Sequence, residues 1–314
     1  MFFKPKVLVT GGAGFIGSHQ ADALLAKGFQ VVVVDNLRTG REEFLNKDVV
    51  FYNLDIRENE LNKIFRDEKP DFVFHFASED NKKLSYHDPI FNADVNIVGT
   101  LNVLENCVEH KVKKVLFGSS AVPIYGETTK IPTGETFPAR PRTPLGIAKL
   151  TAELYFQFYA DNYNLNYVIL RYANVYGPRQ TFNGDRNVVP ALIQNCLSDK
   201  QPMIFGNGHQ TRDFVYIEDV IRANMMALAN RVSGIYNVGS GRQTTINELL
   251  KIIGEESGRC PTEKYISLPA WPENCCVNIE KIKGELNWKP TVELTDGIAQ
   301  TVAWMQEWLT TPKD

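Results

Sequence analysis

A short apolar run that leads directly into three spaced glycines constrains this chain more than any other feature. The run VLVT at residues 7–10 precedes Gly11, Gly14 and Gly17, and a helical pattern follows over residues 16–26. Glycines at this spacing allow a sharp strand-to-helix turn, a close backbone approach to a pyrophosphate and tight packing of the helix on the strand. The N–H groups at the start of such a helix attract phosphate. The segment therefore predicts a dinucleotide-binding turn.

A second apolar run follows at the distance expected for a dinucleotide site. Residues 31–34 are four valines, and Asp35 comes directly after them. An acidic residue at this place is expected to accept hydrogen bonds from the adenosine ribose hydroxyls. Because its charge would repel a 2′-phosphate, Asp35 favours NAD over NADP. Arg38 lies nearby and could weaken that preference, although a surface position in the loop is the simpler interpretation.

Strand-like and helical patterns alternate through the first half of the chain. Strands are predicted near residues 31–34, 49–52, 72–76, 115–117 and 167–170, and helices near 58–67, 89–110 and 145–163. Continuous apolar strands separated by helices predict an α/β protein with a doubly wound parallel sheet, the Rossmann plan.

Beyond residue 178 the alternation is less regular. Helices are predicted near 188–198, 217–230, 245–257 and 296–309, with short strands at 203–205, 214–215 and 236–238. We expect a cofactor domain over 1–178 with a returning segment near 214–240, and a smaller interwoven α/β lobe from 179–213 and 241–314.

Composition excludes several functional classes. A net charge of −3 over 314 residues gives no indication of a nucleic-acid partner, and no apolar run is long enough to span a membrane. The segment before the first strand is too short for a signal peptide, so a cytoplasmic location is expected. Five scattered cysteines without metal-ligand spacing predict reduced thiols and no metal site.

Ordered sequence matches along nearly the whole chain carry a more specific resemblance. They are residues 10–17, 35–37, 54–57, 75–77, 96–100, 119–120, 125–127, 171–178, 212–215, 237–239 and 286–290. With these segments the chain resembles the extended short-chain dehydrogenase/reductase family, the NAD-dependent epimerases and dehydratases, and in particular its UDP-sugar 4-epimerases.

The resemblance implies NAD as cofactor and a nucleotide sugar as substrate, with UDP favoured as the nucleotide. The cofactor residues that it implies are Gly11, Gly14, Phe15, Ile16, Gly17, Asp35, Asn36, Leu37, Asp55, Ile56, Phe76, Ala77, Ser78, Asn96, Lys149 and Tyr172. The substrate residues that it implies are Asn174, Val188, Val189 and Arg212. It also implies a homodimer formed by the helices around 89–110 and 145–163.

One catalytic group of the family is missing from this chain. Hydride transfer in the family normally uses a tyrosine and a lysine one helical turn apart, where the phenolate accepts the hydroxyl proton of the substrate. Lys149 is present, but the tyrosine position holds Leu145, which cannot carry a proton. The remaining catalytic candidates are Lys149, Ser120 and Ser119.

Other departures lie near the same site. One extra residue separates Ser119 and Ser120 from Tyr125, with Pro123 inserted, so the Ser120 hydroxyl could be aimed differently although Ser120 should still end its strand. Residues 78–83 are charged where the family has small apolar residues. The family's C-terminal arginine motif is absent, and Trp271 stands in that region.

Four interpretations follow. In the first, which we favour, the enzyme acts at C4 or C5 of a keto or unsaturated deoxy-sugar nucleotide of surface-glycan biosynthesis, and Lys149, Ser120 or water moves the proton. In the second, it is a UDP-hexose 4-epimerase weakened or trapped by loss of its tyrosine. In the third, Tyr125 or Glu79 supplies the base. In the fourth, the protein binds NAD and nucleotide sugar without catalysis.

Overall fold

The computed structural model describes residues 4–181, 187–259, 261–267 and 273–311. It divides into two compact, interleaved units. The first comprises residues 1–124, 139–171 and 221–236, and the second comprises residues 125–138, 172–220 and 237–314. This division differs from the predicted boundaries, because residues 125–138 and 172–178 join the second unit and the returning segment shortens to 221–236.

The strands are β1 (Lys6–Thr10), β2 (Gln30–Asp35), β3 (Val50–Asn53), β4 (Phe72–His75), β5 (Lys114–Ser120), β6 (Tyr167–Tyr172), β7 (Asn174–Tyr176), β8 (Met203–Phe205), β9 (Thr211–Arg212), β10 (Phe214–Tyr216), β11 (Gly234–Val238), β12 (Thr244–Thr245) and β13 (Lys264–Ile266). The α-helices are α1 (Phe15–Ala26), α2 (Glu60–Glu68), α3 (Lys82–His87), α4 (Pro89–Ala93), α5 (Gly99–Glu109), α6 (Ala121–Tyr125), α7 (Pro144–Tyr163), α8 (Val188–Leu197), α9 (Ile217–Ala229), α10 (Ile246–Ser257), α11 (Glu280–Leu286) and α12 (Leu294–Thr310). A 3₁₀ turn covers Glu42–Phe44, and a π-helical turn at Asp94–Val98 joins α4 to α5.

A seven-stranded sheet forms the first unit, in the order β11-β6-β5-β4-β1-β2-β3. The pairs β1–β2, β2–β3, β1–β4 and β4–β5 are parallel. Helices cover both faces of the sheet, so β-branched side chains such as Val33 and Val73 are fully buried. The predicted doubly wound fold is confirmed.

The order of the central strands fixes the position of the site. β1 lies between β2 and β4, and the glycine turn follows β1. The chain reverses its winding direction at this point, which is where open α/β sheets bind ligands, outside the carboxyl ends of their strands.

The second unit contains three two-stranded sheets, β7–β10, β9–β12 and β8–β13. Trp288 is buried in it, and its indole N–H donates to the carbonyl of Asp219 at 2.9 Å. The Asp219 carboxylate accepts the amide N–H groups of Thr291 and Val292, which fixes the segment that leads into α12. Among the described residues, no helix is both long and apolar enough to cross a membrane.

Candidate nucleotide-binding and catalytic site

The glycine turn has the geometry that a dinucleotide requires. Gly11 adopts a φ of +67°, and a Cβ at this residue would lie 2.5 Å from the amide nitrogen of Ala77. A Cβ at Gly17 would collide with the carbonyl oxygen of Gly11, so α1 can pack this closely only because residue 17 lacks a side chain. Gly14 caps α1 without a side chain, which leaves the first-turn N–H groups of the helix to a ligand. These residues fit a pyrophosphate.

Asp35 ends β2 beside this turn. Its carboxylate accepts the amide N–H of Ala13 at 3.0 Å and that of Leu37 at 2.8 Å. Burial raises the pKa of Asp35, while these two hydrogen bonds oppose the shift. Each carboxylate oxygen has two lone pairs, so acceptor capacity remains for ribose hydroxyls. The assignment of Asp35 to the ribose stays a prediction.

Asp35→Ala is expected to weaken NAD binding about 10- to 100-fold, because hydrogen bonds to a charged acceptor are worth about 1.5–3 kcal/mol. Isothermal titration with NAD measures the effect. Asp48→Ala, which removes an exposed carboxylate from the following loop, is the control. Equal NAD affinity in Asp35→Ala and the original protein would remove Asp35 from the site.

The predicted adenine residues follow β3. The Asp55 carboxylate accepts from Arg57 Nε at 2.8 Å and Nη2 at 2.8 Å, and from Asn36 Nδ2 at 2.8 Å. The Arg57 guanidinium holds the pKa of Asp55 at about 2, so the carboxylate is charged at neutral pH. Asp55 is thus already bonded to Arg57, and its contact with adenine remains a prediction. Ile56 is buried beside it.

A buried polar chain supports the loops around the glycine turn. Thr10 Oγ1 lies 2.7 Å from His75 Nδ1, and His75 Nε2 lies 2.9 Å from Thr100 Oγ1. Thr100 donates to the carbonyl of Asn96, so its hydroxyl accepts from His75 Nε2–H, and Thr10 donates to Nδ1. The Ala77 amide in turn donates to Thr10 Oγ1. No sequence motif indicates these hydrogen bonds, because Thr10, His75 and Thr100 are far apart in sequence.

Asn96 connects the π-helical turn to the charged segment after β4. Its side chain accepts the Glu79 amide N–H at 3.0 Å and donates to the Glu79 carbonyl at 2.9 Å. This two-way pairing fixes the backbone of Glu79, the second residue after the predicted cofactor residue Ala77. π-Helical turns occur often at functional sites. The glutamate itself is buried, although a charged run would ordinarily face solvent.

The first turns of α7 hold the altered catalytic pair. Thr143 caps the helix by accepting the Gly146 amide N–H at 2.9 Å. A Cβ at Gly146 would collide with the carbonyl oxygen of Pro123, so α6 packs directly on the start of α7. Leu145 and Lys149 are one helical turn apart, and both are buried.

Lys149 is a buried lysine whose ammonium group could act as a general acid. Its Nζ donates to the carbonyl of Gly118 at 3.3 Å and lies 5.0 Å from the centre of the Phe117 ring. Burial lowers the pKa of Lys149 to about 8, and the negative charges of Asp80 and Glu153 oppose that shift. With that pKa the ammonium remains mostly protonated at pH 7 yet gives up its proton more readily than an exposed lysine.

A buried charge cluster lies one turn further along α7. The Glu153 carboxylate accepts the Ser119 hydroxyl at 2.6 Å and the Arg171 guanidinium at 2.6 Å. The Ser119 hydroxyl is therefore already hydrogen-bonded to Glu153. Ser120 ends β5 as predicted and remains the candidate catalytic serine. Neither Glu153 nor Arg171 is among the predicted functional residues, although the four-residue spacing from Lys149 to Glu153 places both on one face of a helix.

The predicted substrate residues lie in the second unit. The backbone N–H of Asn174 donates to the carbonyl of Asp213. The side-chain Oδ1 of Asn174 is buried and has no hydrogen-bond partner within the described parts of the chain. Arg212 donates to the carbonyls of Thr211 and Glu273. An acceptor buried without a partner is the kind of group that a ligand completes.

The remaining predicted residues differ in exposure. Tyr172 and Val189 are buried, whereas Val188 is half-buried at the start of α8. Tyr125, one of the alternative bases, is buried and donates to Asn237 Oδ1 at 2.8 Å, so its proton is already engaged. Trp271 lies outside the described residues.

Free thiols and metal ligands do not form a separate site in the described ranges. Cys107, Cys196, Cys275 and Cys276 are free cysteines. Burial raises the pKa of Cys276 to about 12, so this thiol stays protonated. No cluster of three or more histidine, cysteine, aspartate or glutamate residues there could hold a metal ion.

The fold and the glycine turn together define a dinucleotide-dependent enzyme of the doubly wound class. The family model for the NAD dependent epimerase/dehydratase family matches residues 7–239. The chain is 40% identical over 301 residues to a putative UDP-glucose 4-epimerase of Methanocaldococcus jannaschii, with 96% of this chain and 98% of the relative covered.

Solved structures agree with this match. A UDP-glucose 4-epimerase of Thermotoga maritima, solved with UDP-glucose, is 40% identical with a TM-score of 0.94, covering 97% of this chain and 99% of that one. A Thermus thermophilus UDP-glucose 4-epimerase, solved with NAD, is 38% identical with a TM-score of 0.91, covering 96% and 99%. This chain belongs to the NAD-dependent epimerase/dehydratase family, and the predicted resemblance and cofactor are confirmed.

Proposed function

We propose that this protein transfers hydride, with NAD(H), at C4 or C5 of a UDP-linked sugar that already carries a keto group or is an unsaturated deoxy-sugar. The observation that carries the proposal is the pair at the start of α7. A buried leucine stands one turn before a buried lysine whose pKa is about 8, in a chain that keeps the glycine turn and Asp35.

Oxidising a sugar hydroxyl requires a base, and this site has little base available at neutral pH. Leu145 cannot accept a proton, and an amine with a pKa of about 8 is only about one-tenth neutral at pH 7. The same amine is well suited to the reverse reaction, the reduction of a carbonyl group. NADH, when bound, would supply hydride to a carbonyl carbon of the sugar. The carbonyl oxygen would then need a proton, which the Lys149 ammonium can donate.

UDP is the proposed nucleotide because the Thermotoga maritima relative was solved with UDP-glucose. In this chain, Asn174 and Arg212 are the residues proposed to hold the diphosphate, with the planar guanidinium donating to phosphate oxygens. Phosphate oxygens would accept from the side-chain N–H groups of Asn174. Its buried Oδ1, which lacks a partner in the described residues, is an acceptor and supports a ligand that also carries a donor, such as a sugar hydroxyl.

Absorbance in the reduced-nicotinamide band tests the function. The protein is mixed with NADH and either UDP-4-keto-6-deoxyglucose or UDP-glucose, and the sugar products are separated by chromatography. We expect loss of the band with the keto sugar and slow or no interconversion of UDP-glucose and UDP-galactose. Rapid interconversion of the two hexoses would overturn the proposal. No absorbance change with either UDP-sugar, together with no interconversion of the hexoses, would identify a non-catalytic binder.

A UDP-glucose 4-epimerase weakened by loss of its tyrosine is the second candidate, favoured by the 40% identity to relatives of that name. If it is correct, Leu145→Tyr should raise 4-epimerase turnover about 10²- to 10⁴-fold, the usual contribution of a general acid–base group. A coupled UDP-galactose assay measures the gain. Leu145→Phe supplies the ring without the hydroxyl, and equal rates in the two variants would reject this candidate.

We also propose a homodimer. Leu154 and Phe158, one turn apart on α7, are 55% and 48% exposed, and Ile90 on the neighbouring α4 is 81% exposed. Helices α4 and α7 pack against each other within the first unit, so these side chains lie on adjoining helices. Apolar exposure of this kind is typical of an interface, and a second copy supplies a matching surface.

Phe158→Glu is expected to convert the dimer to a monomer, because it places a charge in the proposed apolar contact. Sedimentation velocity measures the mass. Met203→Glu changes an equally exposed side chain of the second unit and should leave the dimer intact. A monomeric original protein would contradict the proposed assembly.

A further inference from the structure

In the charged segment after β4, Asp80 acts on the pKa of Lys149, whereas Glu79 has no role in the proposed reaction and pairs with the loop after β2. Arg38 Nη2 lies 3.5 Å from Glu79 Oε2. β1 lies between β2 and β4 in the sheet, and the glycine turn follows β1. The ion pair therefore joins the two loops that flank the dinucleotide-binding turn, across the carboxyl edge of the sheet.

Glu79 is a fixed partner in this pair. Its side chain is 3% exposed, and its Oε1 accepts the amide N–H of Asn81 at 3.0 Å. The Asn96 side chain holds its backbone from both directions. These contacts anchor the carboxylate, so the mobile half of the pair is the arginine.

Arg38 is the movable partner, and it makes a second contact with the ring of Phe91. Its Cζ lies 4.2 Å from the centre of the Phe91 ring at the start of α4, within the range of a cation–π contact. The Arg38 side chain remains 43% exposed, so it can leave this position without disturbing the core. Phe91 also faces Arg57, whose Cζ is 5.2 Å from the same ring centre.

We propose that Arg38 and Glu79 form a clasp over the path of the dinucleotide and set how long NAD(H) stays bound. A dinucleotide at the glycine turn runs along the same edge, from the β2 side to the β4 side. The clasp has to open for the cofactor to leave, and it closes again by an ion pair and a ring contact. This role assigns Glu79 to cofactor retention and not to proton transfer.

The proposal rests on the family's use of NAD and not on the proposed sugar reaction, so its test needs no sugar. Protein loaded with NADH is mixed with excess NAD in a stopped-flow instrument, and loss of bound-NADH fluorescence gives the dissociation rate. Arg38→Ala and Glu79→Gln should each raise that rate about fivefold, which is the scale of a partly exposed ion pair with a cation–π contact. The association rate should stay within about twofold.

Three comparisons make the test specific. Arg38→Lys keeps the charge but loses the planar stack on Phe91, so its rate should fall between those of Arg38→Ala and the original protein. The double variant should dissociate no faster than the faster single variant, because one contact is lost in all three. Arg66→Ala removes an exposed arginine whose neighbour is Asp67 on α2, and it should change nothing.

Added salt gives an independent measurement. Raising NaCl should speed dissociation from the original protein more than from Arg38→Ala, because the variant has no ion pair to screen. Unchanged dissociation rates in both single variants would overturn the proposal. Slower dissociation from the single variants would also overturn it. An equal increase in the association and dissociation rates would overturn it as well, because the pair would then obstruct the site without retaining the cofactor.

Discussion

Lys149→Met is expected to lower kcat for reduction of a UDP-linked keto sugar by about 10²- to 10⁴-fold, because the variant has no proton to give to the sugar oxygen. Methionine is one atom shorter than lysine and keeps its unbranched apolar stem, so most of the space around residue 149 should remain filled. Steady-state rates with NADH measure the loss. Lys113→Met removes an exposed lysine and should retain full activity.

The pH dependence of the same rate identifies the form of Lys149 that acts. The pKa of Lys149 is about 8, and the protonated amine is the proposed donor. The rate should therefore be constant below about pH 7 and fall as pH rises through 8. Lys149→Arg keeps its charge at every accessible pH, so whatever rate remains should not fall there. A rate that rises through pH 8 in the original protein would mean that Lys149 acts as a base on a hydroxyl, which contradicts the proposed substrate.

The second large effect is on stability. Glu153→Ala is expected to reduce the free energy of unfolding by about 3–5 kcal/mol, because it leaves the buried guanidinium of Arg171 without its carboxylate. The two side chains are 1% and 5% exposed, so water cannot replace the lost partner. Urea unfolding followed by circular dichroism measures the change.

Two further variants separate the buried charge from packing. A Glu153→Met/Arg171→Met double variant should cost less than either single variant, since no unpaired charge remains. Glu153→Gln keeps hydrogen-bonding atoms but removes one of the two charges, with that of Asp80, that raise the pKa of Lys149. In that variant the fall in rate should move below pH 8. A fall that stays at pH 8 would separate Glu153 from the tuning of Lys149.

The sheet was predictable because each of its central strands is a continuous apolar run. The four valines of β2 cannot face water on either side, so they require a parallel sheet with helices on both faces. The glycine turn was predictable for a related reason. At Gly11 and Gly17 any side chain would collide with backbone, so the sequence itself records the close approach of strand and helix.

The surroundings of the reacting groups were less predictable, because they depend on contacts between distant residues. Glu79 belongs to a charged run that predicts a solvent-exposed segment. Its side chain is nevertheless buried, and its backbone N–H donates to the side chain of Asn96, seventeen residues later. The π-helical turn that aims Asn96 leaves no signature in hydrophobic periodicity. Helix α6 is one turn long and contains Pro123, so no pattern method would place it.

The hydrogen-bonded histidine beneath the glycine turn has a consequence for kinetics. Burial and the nearby charge of Lys149 lower the pKa of His75 to about 3, so the imidazole is neutral in every ordinary buffer. Thr10 and Thr100 keep fixed donor and acceptor roles on either side of it. A kinetic transition between pH 5 and 7 would therefore have to originate in the sugar nucleotide or in another side chain, and this histidine could not be its source.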